Sequence, residues 1–186
     1  MARVRLVQTQ ESDPYIREEF LKIEAQGAPV LNVFKAMAHS PHICHNFLSL
    51  TNVILRDDVL SPVLRELVIL RVGWLCGSFY EYTKHSVIGK KAGLRQEQID
   101  AIPYWTSAMC FNDKERAVLS YADESTRLVQ VRDETYKAVR AFLNEQEVVK
   151  LTVTIGFYGM VSRFLVAMQV ELDPGEKSLM PGVDKY

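Results

Sequence analysis

The chain is poor in cysteine, with three among 186 residues. Cys44, Cys76 and Cys110 are widely spaced and odd in number, which excludes the closed set of bridges that staples a small secreted domain and points to a reducing compartment. Long runs of like charge are also missing. The 22 Lys and Arg nearly cancel the 23 Asp and Glu, and no cluster exceeds a pair such as Lys90-Lys91 or Glu18-Glu19. Neither nucleic acid nor an anionic membrane is offered a footprint. The opening MARVRLVQTQ places charges where a signal peptide needs an apolar run. The least polar stretch, Leu151 to Ser162, falls short of the roughly 20 residues that span a bilayer. These absences lead to the expectation of a soluble, cytoplasmic protein with no nucleic-acid and no membrane partner. Strand-like alternation is lacking too, since only LTVTIGF approaches it and its flanks read as helical.

What the sequence does have is helix punctuation. Asp13 before Pro14 opens a segment that Gly27 closes after YIREEFLKIEAQ. HSPHICHNFLSL repeats the device with Ser40 and Pro41, and Ile43, Phe47, Leu50 and Ile54 then fall on one stripe. Ser61-Pro62 does so again. The following VLRELVILRVGWLC is apolar nearly all round apart from Arg65, Glu66 and Arg71, so it belongs at the centre of the assembly, interrupted near Gly77. A further helix from Ser78 to Lys91 ends on two lysines before Gly93. Asn112 with Glu115, and Asn144 with Glu147, form the asparagine variant of the capping box. The class is all-α, expected as one helical domain over 1–172 with a C-terminal arm over 173–186. That arm, DPGEKSLMPGVDKY, has two Pro/Gly turns and no apolar stripe, and reads as a segment lying across a neighbouring copy. Glu66 to His85 also echoes Glu147 to Val166 without a gap, through either an internal helix-pair duplication or the likeness of two apolar helices.

Chemistry concentrates in CGSFYEYTKH. On a helix Ser78, Glu81, Tyr82 and His85 share one face, where a carboxylate one turn from an imidazole fixes its tautomer and raises its basicity. Glu66, in the preceding helix, can turn inward toward His85 if the chain reverses near Gly77. The plainer reading of the same spacing is a solvated Glu81–His85 pair. His39, His42 and His45 lie close together around Cys44, but Ser40-Pro41 breaks the segment and no third ligand shares the face of His42 and His45. A helix boundary with exposed imidazoles is expected there, and no metal site. Gly73 and Gly77 read as a small-residue pair for close helix packing.

The order of the whole stretch RELVILRVGWLCGSFYEYTKHSVIGKKAGLRQEQIDAI resembles the carboxymuconolactone decarboxylase family, which includes the alkyl hydroperoxidase D-like (AhpD-like) proteins. The likeness is strongest over residues 61–102, and GAPVLNVFKAMAHSP and GFYGMVSRFLVAMQVELDP resemble the longer members. The resemblance implies an AhpD-like helical fold and a homo-oligomer, a trimer or hexamer. The family's peroxidase branch carries a glutamate, a Cys-x-x-Cys pair and a histidine four residues later; here those positions are Glu66, Ser78, Glu81 and His85. A dithiol peroxidase needs one thiolate to attack and a second to resolve, so the loss of both thiols counts against that activity. Cys76 sits about 200° round a helix from Ser78 and is expected in packing.

The resemblance therefore favours the thiol-free decarboxylase branch: a cofactor-free lyase or isomerase acting on a small carboxylated lactone or carbonyl acid. On that reading His85 donates the proton and Glu81 or Glu66 orients it. Ser78 or Tyr82 binds a substrate oxygen, and Arg71 and Lys84 are the cations for its carboxylate. Two alternatives stay open, a peroxidase-related oxidoreductase and a non-catalytic helical assembly protein.

Overall fold

The structure, a computed structural model, describes residues 2–182. The end of the expected arm, residues 183–186, lies outside the described residues. Among the described residues there are nine α-helices, two short 3-10 turns and no strand. The described residues divide into two compact units, residues 2–57 with 167–176, and residues 58–166 with 177–182.

In the first unit α1 (Pro14–Ala25) starts as its sequence dictates, the Asp13 carboxylate accepting from the Tyr15 amide at 2.8 Å ahead of Pro14. It buries Ile16 and Phe20. Next come α2 (Asn32–Met37) and α3 (Pro41–Arg56). Ser40 makes no side-chain cap, so Pro41 alone marks the start of α3. The buried stripe of α3 is also rotated from the expected one. Cys44, Phe47, Leu48 and Ile54 are buried, whereas Ile43 and Leu50 are 61% and 39% exposed. The cause is the partner helix: Phe34 of α2 meets the Phe47 ring edge-on at 5.9 Å and accepts a weak bond from the Cys44 thiol. Residues 167–176 are tied down here, with Asp173 accepting from the Asn32 amide at 2.8 Å and Asn32 Nδ2 donating to Glu171 O and Leu172 O.

The second unit is built on α4 (Pro62–Leu75), whose residues from Arg65 to Gly73 are all buried. That all-round burial is what its apolar surface demands. As at Ser40, the Ser61 hydroxyl does not cap, and Pro62 occupies the first turn. The chain reverses at Gly77, φ +66°, a left-handed conformation that favours glycine. Then α5 (Phe79–Ala92) runs until Gly93, φ +111°. Two glycines let α5 lie close against α4. A Cβ on Gly73 would sit 3.4 Å from Glu81 Cβ and from the Tyr82 amide nitrogen, and one on Gly89 would sit 3.5 Å from Glu66 Cβ.

After α6 (Gln96–Ala101), α7 (Asp113–Leu128) packs on α4. It opens with the expected capping box, Glu115 amide to Asn112 at 3.0 Å and Asn112 amide to Glu115 at 2.9 Å. Then follow α8 (Asp133–Arg140) and α9 (Glu145–Met168), the latter opened by the reciprocal Asn144–Glu147 bonds. At 24 residues α9 is longer than its apolar stretch suggested, and by length and composition it could cross a membrane. Half of its most apolar window is buried in the protein. The sequence echo is not matched by the backbone, because the first copy is helix–turn–helix and the second lies within the single helix α9. Residues 177–182 fold back on α5 of their own chain, the Leu179 amide donating to Thr83 Oγ1 at 3.0 Å and Met180 being buried.

Candidate active site

Glu66 on α4 and His85 on α5 meet where Gly89 brings the two helices together. His85 Nδ1 lies 2.7 Å from Glu66 Oε2, so Nδ1–H donates and the ring proton is fixed on that side. The other ring nitrogen, Nε2, lies 3.4 Å from Glu81 Oε2. The second Glu66 oxygen accepts from Arg65 Nε at 2.9 Å. The result is a row of alternating basic and acidic side chains, Arg65, Glu66, His85, Glu81, with exposures of 6%, 0%, 4% and 5%. The solvated-pair reading of Glu81 and His85 is thereby replaced: the pair is inside the fold.

Burial of this depth perturbs every group in the row. For Glu66, burial pushes its carboxyl upward, but the charge and hydrogen bond of His85, and then Arg65, outweigh it and lower the pKa. For His85, burial opposes the charged ring, yet the Glu66 carboxylate and its hydrogen bond, helped by Glu81, raise the pKa. Glu81 is raised, chiefly by burial and further by the negative charge on Glu66, against the pull of His85. Two carboxyls on the two sides of one imidazole are thus driven in opposite directions, the arrangement that separates a proton-holding group from an ionised one. The roof is Tyr158 of α9, whose ring meets His85 edge-on with centroids 4.8 Å apart. Its hydroxyl is pushed well up, first by burial and then by Glu81 and Glu66.

Ser78 and Glu81 read as a capping box, Ser-x-x-Glu, and the box does not form. Ser78 takes the N-cap position of α5 without a side-chain bond to the helix, and Glu81 is directed to His85 instead. Ser78 Oγ is buried with no partner among the described residues.

Other expected site residues are committed elsewhere. Arg71 is paired with both carboxylate oxygens of Asp123 and donates to Ile102 O at 2.9 Å, so it anchors α7 and the turn after α6. Its guanidinium is used up by structure. The Tyr82 hydroxyl donates to Ile99 O at 2.6 Å, which occupies the proton that was to meet a substrate oxygen. Lys84 holds its ammonium 5.6 Å over the Tyr80 ring. Cys76 is not on the helix of Ser78 at all: it caps α4, half-buried, beside Ser162 and the Arg163 charge, with its thiol pushed up by burial despite both. His39 Nε2 bonds Arg5 O at 2.7 Å, and His42 and His45 face the Tyr15 ring. Among the described residues no group of three or more His, Cys, Asp or Glu is placed to hold a metal. A separate 340 Å³ cavity is lined by Val63, Lys114, Phe142 and Glu147 among others, and its Glu115 and Glu147 are engaged in the two capping boxes.

Sequence reasoning missed Arg65, Tyr158 and Ser162. A signal for the last two was present: Thr154, Tyr158 and Ser162 recur every four residues as a hydroxyl stripe along α9.

Residues 41–124 match the model of the carboxymuconolactone decarboxylase family. No curated protein matches the chain. Among solved structures, a peroxidase-related protein from Ralstonia eutropha, described as an alkylhydroperoxidase AhpD core, is similar over 93% of each chain, at 18% identity and a TM-score of 0.82. The debrominase Bmp8, solved as a cysteine-to-alanine variant in complex with 2,3,4-tribromopyrrole, is similar over 94% of this chain and 95% of its own, at 17% identity and 0.77. A protein of unknown function from Agrobacterium tumefaciens, a putative antioxidant defence protein AhpD, covers 74% of this chain and 94% of its own, at 22% identity and 0.68. The AhpD-like helical fold is therefore shared.

Proposed function

Because residues 41–124 belong to the carboxymuconolactone decarboxylase family, we propose that the chain is a cofactor-free lyase or isomerase acting on a small carboxylated lactone or carbonyl acid. One observation carries the reading: an imidazole buried between two carboxyls, Glu66 at 2.7 Å with its pKa lowered and Glu81 at 3.4 Å with its pKa raised, with serine and glutamate where a dithiol would stand. Glu66 keeps the proton of His85 on Nδ1 and favours its charged form. Nε2 and the Glu81 carboxyl then hold the proton that substrate carbon requires. In decarboxylation the bond to the carboxylate breaks, carbon dioxide leaves, and the electron pair moves into the conjugated carbonyl as an enolate. The proton from the His85–Glu81 pair then goes to carbon and is regained from solvent, so that carboxylate plus proton gives carbon dioxide and the protonated product. Isomerisation uses the same pair without loss of carbon dioxide.

The test is turnover of a panel of carboxylated unsaturated γ-lactones and carbonyl acids in deuterium oxide. The reading expects consumption of at least one, with deuterium at the carbon that receives the proton. Consumption unaffected by His85→Gln would contradict it, and consumption of none would leave the non-catalytic assembly role, in which that change alters stability alone.

The oxidoreductase alternative is favoured by the similarity to a peroxidase-related protein and to a debrominase. Against it stand the raised thiols of Cys44, at about 12, and of Cys76, both through burial, since a thiolate is the nucleophile. Replacing all three cysteines by alanine is expected to leave turnover within about tenfold. Complete loss in a folded variant would restore the thiol mechanism. A cytoplasmic homo-oligomer remains part of this proposal.

A further inference from the structure

The chemistry assigned to His85 leaves several hydroxyls unused. Ser78 Oγ, Thr154 Oγ1 and Ser162 Oγ are fully buried and none makes a well-aligned hydrogen bond among the described residues, Ser162 Oγ meeting only the weakly accepting thiol of Cys76. Buried hydroxyls are ordinarily satisfied, so each such group calls for a physical reason. Their placement supplies one for two of them. Thr154, Tyr158 and Ser162 stand one turn apart on the buried side of α9. Tyr158 touches His85, and Ser162 lies beside the thiol of Cys76, two residues before Ser78. α9 thus runs from His85 toward Cys76, so that Ser162 lies at the turn that leads into Ser78 and α5. Thr154 lies on the other side of Tyr158.

The electrostatics of the row suit an oxyanion. Arg65 and His85 bring positive charge against the one ionised carboxylate of Glu66, while burial drives Glu81 toward its neutral form. The row therefore accommodates one more negative charge. Ser78 also opens α5, and the N-terminus of a helix of this length favours an anion.

We infer that Ser78 and Ser162 form the oxygen-binding half of the site, their hydroxyls donating to a carboxylate or enolate oxygen of a small substrate held beside Glu81. The assignment rests on reading the row as an acid–base centre, and it adds a residue on α9 that faces the substrate's oxygen while the His85–Glu81 pair faces its carbon.

Formate, the smallest carboxylate, is the probe. Titrated into protein carrying ¹⁵N-labelled histidine, it is expected to shift the His85 ring resonances saturably. Ser78→Ala and Ser162→Ala should each weaken formate by about tenfold or more, the worth of one hydrogen bond to a charged group. Without formate both variants should be as stable as the parent or more so, because each removes an unsatisfied polar atom. Thr154→Ala, which deletes the same kind of atom one turn past Tyr158, should leave formate binding unchanged. His85 signals that ignore formate, equal affinity in all variants, or serine variants that lose stability but not affinity would each overturn the assignment. Formate binding requires no turnover, so this result stands apart from the fate of the lyase reading. Turnover that depends on His85 but not on either serine would sink this inference alone.

Discussion

His85 is held by one carboxyl and faces another, and the consequence is readable in stability against pH. Its pKa is raised above the ordinary 6.5, so the charged ring stabilises the fold fully below that value and the contribution fades as pH climbs through the raised one. Glu81, raised above 4.5, has the same sign: ionising it inside the fold costs stability as pH rises. Glu66, lowered below 4.5, has the opposite sign and loses its contribution only in acid. The protein should therefore lose stability as pH rises above the ordinary histidine value of 6.5, and His85→Gln should flatten that decline. Denaturant midpoints across that rise check it; identical slopes for parent and variant would refute the charged pair. Of these residues Glu66, Glu81 and His85 were legible, because two share a helix face and the third stands at a position that the family resemblance marks. Arg65, Tyr158 and Ser162 were not, since their roles depend on which side α4 and α9 turn inward. Arg71 misled for a related reason: a buried arginine needs a partner, and its partner, Asp123, lies on another helix.

At the scale of elements, what could be read was local chemistry. The Asp13 cap, both asparagine capping boxes and the reversal at Gly77 depend on neighbours in sequence and stand where expected. The orientation of α3 depends on Phe34 across a helix interface, and there periodicity alone selected Ile43 and Leu50 wrongly. The contact of α4 with α5 carries the most functional weight. A side chain at position 89 would meet Leu94 at 2.9 Å and Glu66 at 3.5 Å, so Gly89→Val should force the helices apart at a cost of about 1–3 kcal/mol. Because the same contact sets the Glu66–His85 distance, turnover should fall further than stability does. Gly93→Ala offers the comparison: its φ of +111° makes alanine costly by about 1–2 kcal/mol away from the row, so stability should fall while turnover of the folded fraction holds. Equal losses of turnover in both variants, each corrected for folding, would show that the α4–α5 spacing does not set the site.

For the whole molecule, an all-helical chain with an AhpD-like fold was legible from punctuation and family order together. Its division into two units was not, because nothing in composition shifts at Asp57 or Ala167. The outer side of α9 exposes Val149, Val153 and Met160 at helical spacing, which supports burial against a second copy. Light scattering at micromolar concentration should find an oligomer, and a monomer would remove that expectation. The central claim is that Glu66 and His85 act as one proton-handling unit, and a double-mutant cycle on turnover tests it most directly. With any substrate that the parent consumes, His85→Gln should lower kcat by about 10² to 10⁴ and Glu66→Gln by less. The double variant should cost much less than the product of the two losses, because residues sharing a task are not additive. Two losses that multiply, in variants as well folded as the parent, would contradict the account.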